Sequence, residues 1–165
     1  ASIAATPGRV RTIRLLPADA PACPDAVAAV LDADVVILGP GSWFTSVIPH
    51  LLLRELGQAL ASTAATVVVT MNLVPQVGET KGFSPVELLR TLSDHALDYG
   101  GLPIDAVVAD SNAVTDVPAL VDFSAALGAR LVLSEVAAHD ALDRHDPTRL
   151  AAAYVQAFRR DVVST

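Results

Sequence analysis

The chain has a single cysteine, Cys23, in 165 residues. It therefore holds no internal disulfide and no cysteine metal cluster, and it suits a reducing compartment. Aromatic residues are only 4% of the sequence and charged residues 18%. Lysine occurs once, at Lys81, so the other ten basic side chains are arginines. The net charge is −7. A nucleic-acid surface needs a basic stripe to neutralise phosphates, and none is present. No apolar run approaches the roughly 20 residues of a membrane span. No charged-then-apolar signal segment opens the sequence. A cytoplasmic location is the expectation.

What is abundant is aliphatic. Hydrophobic residues reach 52% and are mostly Ala, Val, Leu and Ile. Disorder is excluded by that content. With few aromatics, such a core suits a parallel sheet covered by helices better than a β-sandwich. Residues 1–165 are the length of one domain. Five short apolar segments, at 10–15, 34–38, 66–71, 104–109 and 130–134, read as buried strands bounded by Gly, Pro, Asp or Asn. Helical stretches separate most of them. The expected fold is α/β, three-layer αβα and Rossmann-like, with a mostly parallel sheet.

Helix boundaries are legible. Ser84-Pro85-Val86-Glu87 has the capping-box pattern, and Gly100-Gly101 stops the helix that follows. Asp116 caps a helix over 117–127 that Gly128 ends. Asp146-Pro147 opens the last helix, whose inward face is expected to include Leu150, Tyr154 and Phe158. A short helix is expected over 24–31 and a longer one over 47–60.

Three segments could carry chemistry. The first runs from Asp34 through Gly39-Pro40-Gly41-Ser42-Trp43-Phe44-Thr45-Ser46. It reads as a strand entering a Gly-rich turn before a helix. Gly39 and Gly41 permit positive φ and close backbone approach. Ser42, Thr45 and Ser46 can cap the helix or bond an anion at its start. A phosphate site and a tight strand–helix turn capped by Ser46 both fit. Trp43 could stack on a base or pack against a neighbouring element.

The second segment runs from Met71 to Phe83. Asn72 and Gln76 could read a base or sugar edge. Thr80 and Lys81 could meet a phosphate, and Glu79 could accept sugar hydroxyls or hold a metal. Gly78 lies in the same loop. A solvated loop is the alternative. The third segment is Asp110-Ser111-Asn112, where Asp110 reaches a ribose hydroxyl or makes a polar turn. His139-Asp140 and His145-Asp146 imitate metal-binding pairs, but Asp146 is better explained as a helix cap and no further ligands of suitable spacing accompany them. There is no Gly-x-Ser-x-Gly elbow, Walker loop or complete Gly-x-Gly-x-x-Gly.

At these segments the sequence resembles the YvcK/CofD-like family, and within it the YvcK branch. The resemblance is carried by residues 33–52, including Gly39-Pro40-Gly41-Ser42, then by Asn72-Leu73, Gln76, Gly78-Glu79-Thr80 and Gly82-Phe83-Ser84, with an echo at His145-Asp146-Pro147. It covers the C-terminal half of such proteins. The opening Gly-Gly-Gly-Thr-Gly loop and the Asp-Asp-Gly-Gly-Ser segment of the family do not occur here. The resemblance implies a regulatory protein that binds a UDP-sugar, UDP-N-acetylglucosamine, and is linked to cell shape, envelope synthesis and gluconeogenic growth. Its ligand would meet Gly39, Gly41, Ser42, Thr45, Ser46, Asn72, Gln76, Gly78, Glu79 and Thr80. Expected partners are the N-terminal half of the same protein and further copies in a homo-oligomer, with no cofactor. The competing implication is a CofD-like transfer of a phospholactyl group to a deazaflavin in coenzyme F420 synthesis.

Overall fold

The computed structural model describes residues 10, 12–76 and 78–159. Four parallel strands lie in the order of the chain: β1 (Val35–Leu38), β2 (Thr66–Thr70), β3 (Ala106–Asp110) and β4 (Arg130–Ser134). Val35 stands opposite Thr66, Val68 opposite Ala106, and Asp110 opposite Ser134. Because the order never reverses, successive crossovers stack on one side of the sheet. That side holds α1 (Pro24–Leu31), α3 (Arg54–Ser62), α4 (Pro85–Ala96) and α5 (Val117–Ala126), with α1 packed on α3 and α4 on α5. The opposite side holds α6 (Pro147–Phe158), packed on β3 and β4.

The alternating side chains of the strands build two cores. Val67, Val69, Val107 and Ala109 point into the larger core, with Leu56, Leu60, Leu89, Leu92 and Leu120 from the helices. Val68, Ala106, Val108 and Val132 point into the smaller one, with Ala153 and Ala157 of α6. Both central strands are buried along their whole length, as a parallel sheet covered on two faces requires. Leu150 and Tyr154 pack on this second core as expected. Phe158 is instead partly exposed and stacks on Tyr154, 5.9 Å between ring centroids. The small residues Ala153 and Ala157 let the helix axis approach the sheet.

Several helix ends match the sequence. Ser84 accepts a hydrogen bond from the Glu87 N–H, and Glu87 accepts one from the Ser84 N–H, a complete capping box. Asp116 accepts from the Ala119 N–H, and Asp146 from those of Thr148 and Arg149. Gly100 takes the left-handed conformation, φ +90°, that closes the α4 segment.

Two expectations are corrected. Residues 10–15 make no strand among those described. Val10 and Ile13 instead pack on the larger core from an irregular segment, and Leu16 is 95% exposed. Their spacing served packing against helices rather than strand pairing. The helix expected over 47–60 is also broken. Trp43–Val47 forms a π-helical turn, α2 spans Pro49–Leu52, and Leu53 is extended before α3. The Val47 and Ile48 N–H groups bond to carbonyls five residues back, Ser42 and Trp43.

After β4 comes an antiparallel hairpin, β5 (Ala137–Ala138) and β6 (Ala141–His145), that the sequence reading missed. Asp110 holds it. This carboxylate is 3% exposed and accepts four backbone N–H groups: Val136 at 2.8 Å, Ala137 at 2.9 Å, Asn112 at 2.8 Å and Ala113 at 3.1 Å. Asp110 is therefore a structural turn-former rather than a ribose contact. Burial pushes its pKa up, but the four N–H groups together outweigh burial and leave it below the usual carboxylate value. Hydrogen bonds to a charged group contribute about 1.5–3 kcal/mol each before losses. Asp110→Asn presents an NH₂ to N–H donors, so unfolding in urea should show a loss of about 2–4 kcal/mol. The wild-type contribution should be complete above the unfolded pKa, about 3.9, and should vanish as pH falls through the lower folded value.

Candidate functional site

The carboxyl ends of β1, β2 and β3 meet the hairpin at one edge of the sheet, where open α/β folds bind ligands. The chain leaves β1 through Gly39, whose φ is +81° and whose peptide to Pro40 is cis. A Cβ built on Gly39 would stand 2.6 Å from the Thr70 carbonyl oxygen at the end of β2. Glycine is thus required twice, by the left-handed backbone and by the close approach.

The next link is reciprocal. The Gly41 N–H donates to Asn72 Oδ1 at 3.0 Å, and Asn72 Nδ2 donates to the Gly41 carbonyl at 2.8 Å. Asn72 thereby clamps the Gly-rich turn to the β2 exit and has both ends of its amide engaged. Ser42 donates to Glu79 Oε1 at 2.5 Å and also bonds the Thr45 hydroxyl. Glu79 is 4% exposed, so this hydroxyl satisfies an acceptor that burial would otherwise leave costly. Thr80 is buried, and its hydroxyl accepts from the Gln76 N–H at 2.8 Å. Gly78 takes φ +78° in the same loop. The structure thus brings Gly39, Gly41, Ser42, Asn72, Gln76, Gly78, Glu79 and Thr80 into one linked cluster. Thr45 and Ser46 stand exposed on the adjoining π-helical turn, and Lys81 is exposed.

Trp43 faces the other way. It is 1% exposed within the larger core, so it packs rather than offering a surface for base stacking. Phe44 is also buried and contacts Phe83, 5.6 Å between centroids. The π-helical turn seats both aromatic side chains in the core while the hydroxyls of Thr45 and Ser46 face outward. Such turns recur at functional sites.

A pocket of about 250 Å³ opens beside this cluster. Pro40 and Gly41 form one wall, residues 72–74 with Gln76 a second, and Asp143 with His145 on β6 the third. His145 and Asp143 were not among the expected ligand contacts. The sequence marked His145 only as part of a His145-Asp146 pair imitating a metal site and of the family echo His145-Asp146-Pro147. Asp143 gave none, because β6 carries no β-branched or aromatic residue. Burial lowers the His145 pKa from its ordinary value of 6.5, against smaller upward pulls from hydrogen bonding with the Met71 backbone and from the Asp110 charge. His145 Nε2 and Gln76 Oε1 are buried without a hydrogen-bond partner among the described residues. His139 lies apart with Arg149, and Asp140 with Arg144. No cluster of three or more metal-ligating side chains occurs among the described residues.

Gly39→Ala should destabilise the fold by about 2 kcal/mol or more, measured by denaturant unfolding, because left-handed strain adds to the clash with Thr70. The ring of His145 should titrate below 6.5 in the folded protein, read from its NMR signals. The unfolded chain then takes up a proton first as pH falls. Stability should accordingly decrease as pH drops below about 6.5 and level off below the folded pKa, and His145→Gln should remove that slope.

Residues 1–149 match the family model described as 2-phospho-L-lactate transferase CofD. Relatives bearing the name gluconeogenesis factor include one from Mycobacterium tuberculosis, 42% identical over 98% of this chain and 47% of its own length. Another, from Nostoc, is 33% identical over 91% of this chain and 36% of its own. This chain spans about half the length of the curated relatives it matches, or less. A crystal structure from Bacillus halodurans, described as a member of the UPF0052 family, superposes with a TM-score of 0.76 at 23% identity, over 93% of this chain and 52% of that one. That likeness concerns the fold. No helix among the described residues is long and apolar enough to cross a membrane. With its Gly-rich turn, clamped loop and parallel sheet, the chain belongs to the CofD-like family and, within it, to the gluconeogenesis factors.

Proposed function

We propose that this chain forms half of a cytoplasmic regulatory protein that binds a UDP-sugar, UDP-N-acetylglucosamine, and links envelope synthesis and cell shape to gluconeogenic growth. The observation that carries the reading is the convergence of the Gly39–Ser42 turn, the Asn72–Thr80 loop and the β6 hairpin on one pocket at the carboxyl edge of the sheet. Ligands of open α/β sheets bind at that edge. The Ser42 hydroxyl is held by Glu79, so a diphosphate near this turn would be met by backbone N–H groups rather than by that side chain.

The site needs further walls. The strand order has no reversal among the described residues, so the crevice where such sheets bind ligands falls at the outer edge of β1. Ile37 on β1 is 40% exposed there, beyond the reach of α6, which packs on β3 and β4. The N-terminal half of the protein, as a covalent segment or a second chain, is the proposed cover. A homo-oligomer is proposed for the assembled protein.

The family model's own description favours a second reading, phospholactyl transfer to a deazaflavin. Trp43 and Phe44, the two aromatic residues of the π-helical turn, are both buried and offer no face on which such a ring system could stack. Product formation from a deazaflavin and an activated lactyl nucleotide would establish that reading instead.

Calorimetric titration of UDP-N-acetylglucosamine into this chain, and in parallel into the full-length Mycobacterium tuberculosis relative, tests the first. Binding to the relative and association at least a hundredfold weaker with this chain is the expected outcome. Losing two charge-assisted hydrogen bonds at about 1.5–3 kcal/mol each accounts for that ratio. Absence of binding in both would discard the UDP-sugar reading.

A further inference from the structure

The polar lining of the pocket beside the Gly39 turn is one-sided. Asn72 lines it, but both ends of its amide are bonded to the Gly41 backbone. Gln76, Asp143 and His145 remain. Asp143 is exposed on β6, and as a carboxylate it offers only acceptor oxygens. Gln76 Oε1 is a buried acceptor with no partner among the described residues. His145 Nε2 is likewise buried and unpartnered. A neutral imidazole with its proton on Nδ1 presents a lone pair at Nε2, the nitrogen left without a partner here.

No Lys or Arg among the described residues lines this pocket. An anion entering it would meet the Asp143 carboxylate, with the buried Glu79 carboxylate close behind the turn, and no cationic side chain among the described lining residues to offset them. A metal ion would find one imidazole and one carboxylate, short of the three ligands such sites need. A group carrying several O–H or N–H donors meets the opposite situation. It satisfies acceptors whose burial is otherwise unfavourable, and Gln76 can turn its amide toward the ligand about its own side-chain bonds.

We propose that this pocket takes the sugar of the nucleotide sugar, not its diphosphate, through hydroxyl or acetamido donors to His145 Nε2, Gln76 Oε1 and the Asp143 carboxylate. The inference rests on the nucleotide-sugar reading above and fixes the direction in which that ligand lies. Its diphosphate is outside the pocket, and its sugar points toward β6.

The test uses this chain with ¹⁵N-labelled histidine, whose four rings are His50, His95, His139 and His145. Ring signals detect association too weak for calorimetry. The probes are N-acetylglucosamine, UDP-N-acetylglucosamine, UDP and inorganic phosphate. Both sugars should move the His145 ring nitrogens, whereas UDP and phosphate should leave them in place. His145→Ala should weaken UDP-N-acetylglucosamine about tenfold and leave UDP unchanged. His145→Gln, which keeps an acceptor near the Nε2 position, should recover most of that loss. Asp143→Asn changes an exposed side chain that the fold does not need, and should weaken only the sugar-bearing ligand. Equal weakening of UDP and UDP-N-acetylglucosamine, or movement of His145 by UDP or phosphate, would overturn the assignment. Silence of His145 toward both sugars would do the same, even where UDP-N-acetylglucosamine binds elsewhere on the chain. Movement by the free sugar without any UDP-N-acetylglucosamine binding would uphold the pocket and remove the nucleotide reading instead.

Discussion

One buried carboxylate, Asp110, holds together the part of this molecule where ligand chemistry is possible. It ends β3, one of the two strands flanked on both sides by parallel neighbours. Through four backbone N–H groups it gathers its own turn and the β4–β5 connection. The Asp146 N–H then bonds the Val136 carbonyl, so the start of α6 is tied to the same point. Between these anchors lies the hairpin that carries Asp143 and His145 to the pocket. The position of the third wall therefore follows from an interaction made one strand away.

The first two walls depend on a comparable tie. Parallel strands end with their last carbonyls and N–H groups facing open loops, and those groups need partners. Asn72 supplies both a donor and an acceptor to Gly41, across the β1–β2 boundary. Gly39 makes that approach possible by carrying no side chain where the Thr70 carbonyl sits. Glu79 and Ser42 fasten the far end of the loop to the same turn. These polar residues resemble a ligand-reading set in the sequence, yet several use their hydrogen-bonding capacity on one another. The uncommitted acceptors sit slightly to the side, on Gln76 and His145.

Much of the architecture was legible because its causes are local. Short β-branched runs between helical stretches marked β1 to β4, and the caps at Ser84, Asp116 and Asp146 marked three helix starts. Where distant residues decided the outcome, the pattern misled. Residues 10–15 have strand-like composition but no neighbouring strand to pair with among those described. The π-helical turn, in which Trp43 and Phe44 are both buried, left no mark in the local residue pattern. The hairpin escaped notice because Ala141 to His145 carry no β-forming residue, and its pairing is imposed by Asp110 from afar.

The amino-acid sequence by itself determined the α/β class, the helix boundaries and the Gly-rich exit of β1, since each depends on residues within one or two turns of each other. It also contained the motifs that mark the CofD-like family. Only the tertiary structure decided what the polar residues do. It turned Trp43 inward, committed Asn72 to the backbone, made Asp110 a brace, and set His145 opposite Gly41. Hydrogen-bonding capacity is a property of a residue, but whether it is already satisfied depends on neighbours that sequence separation hides.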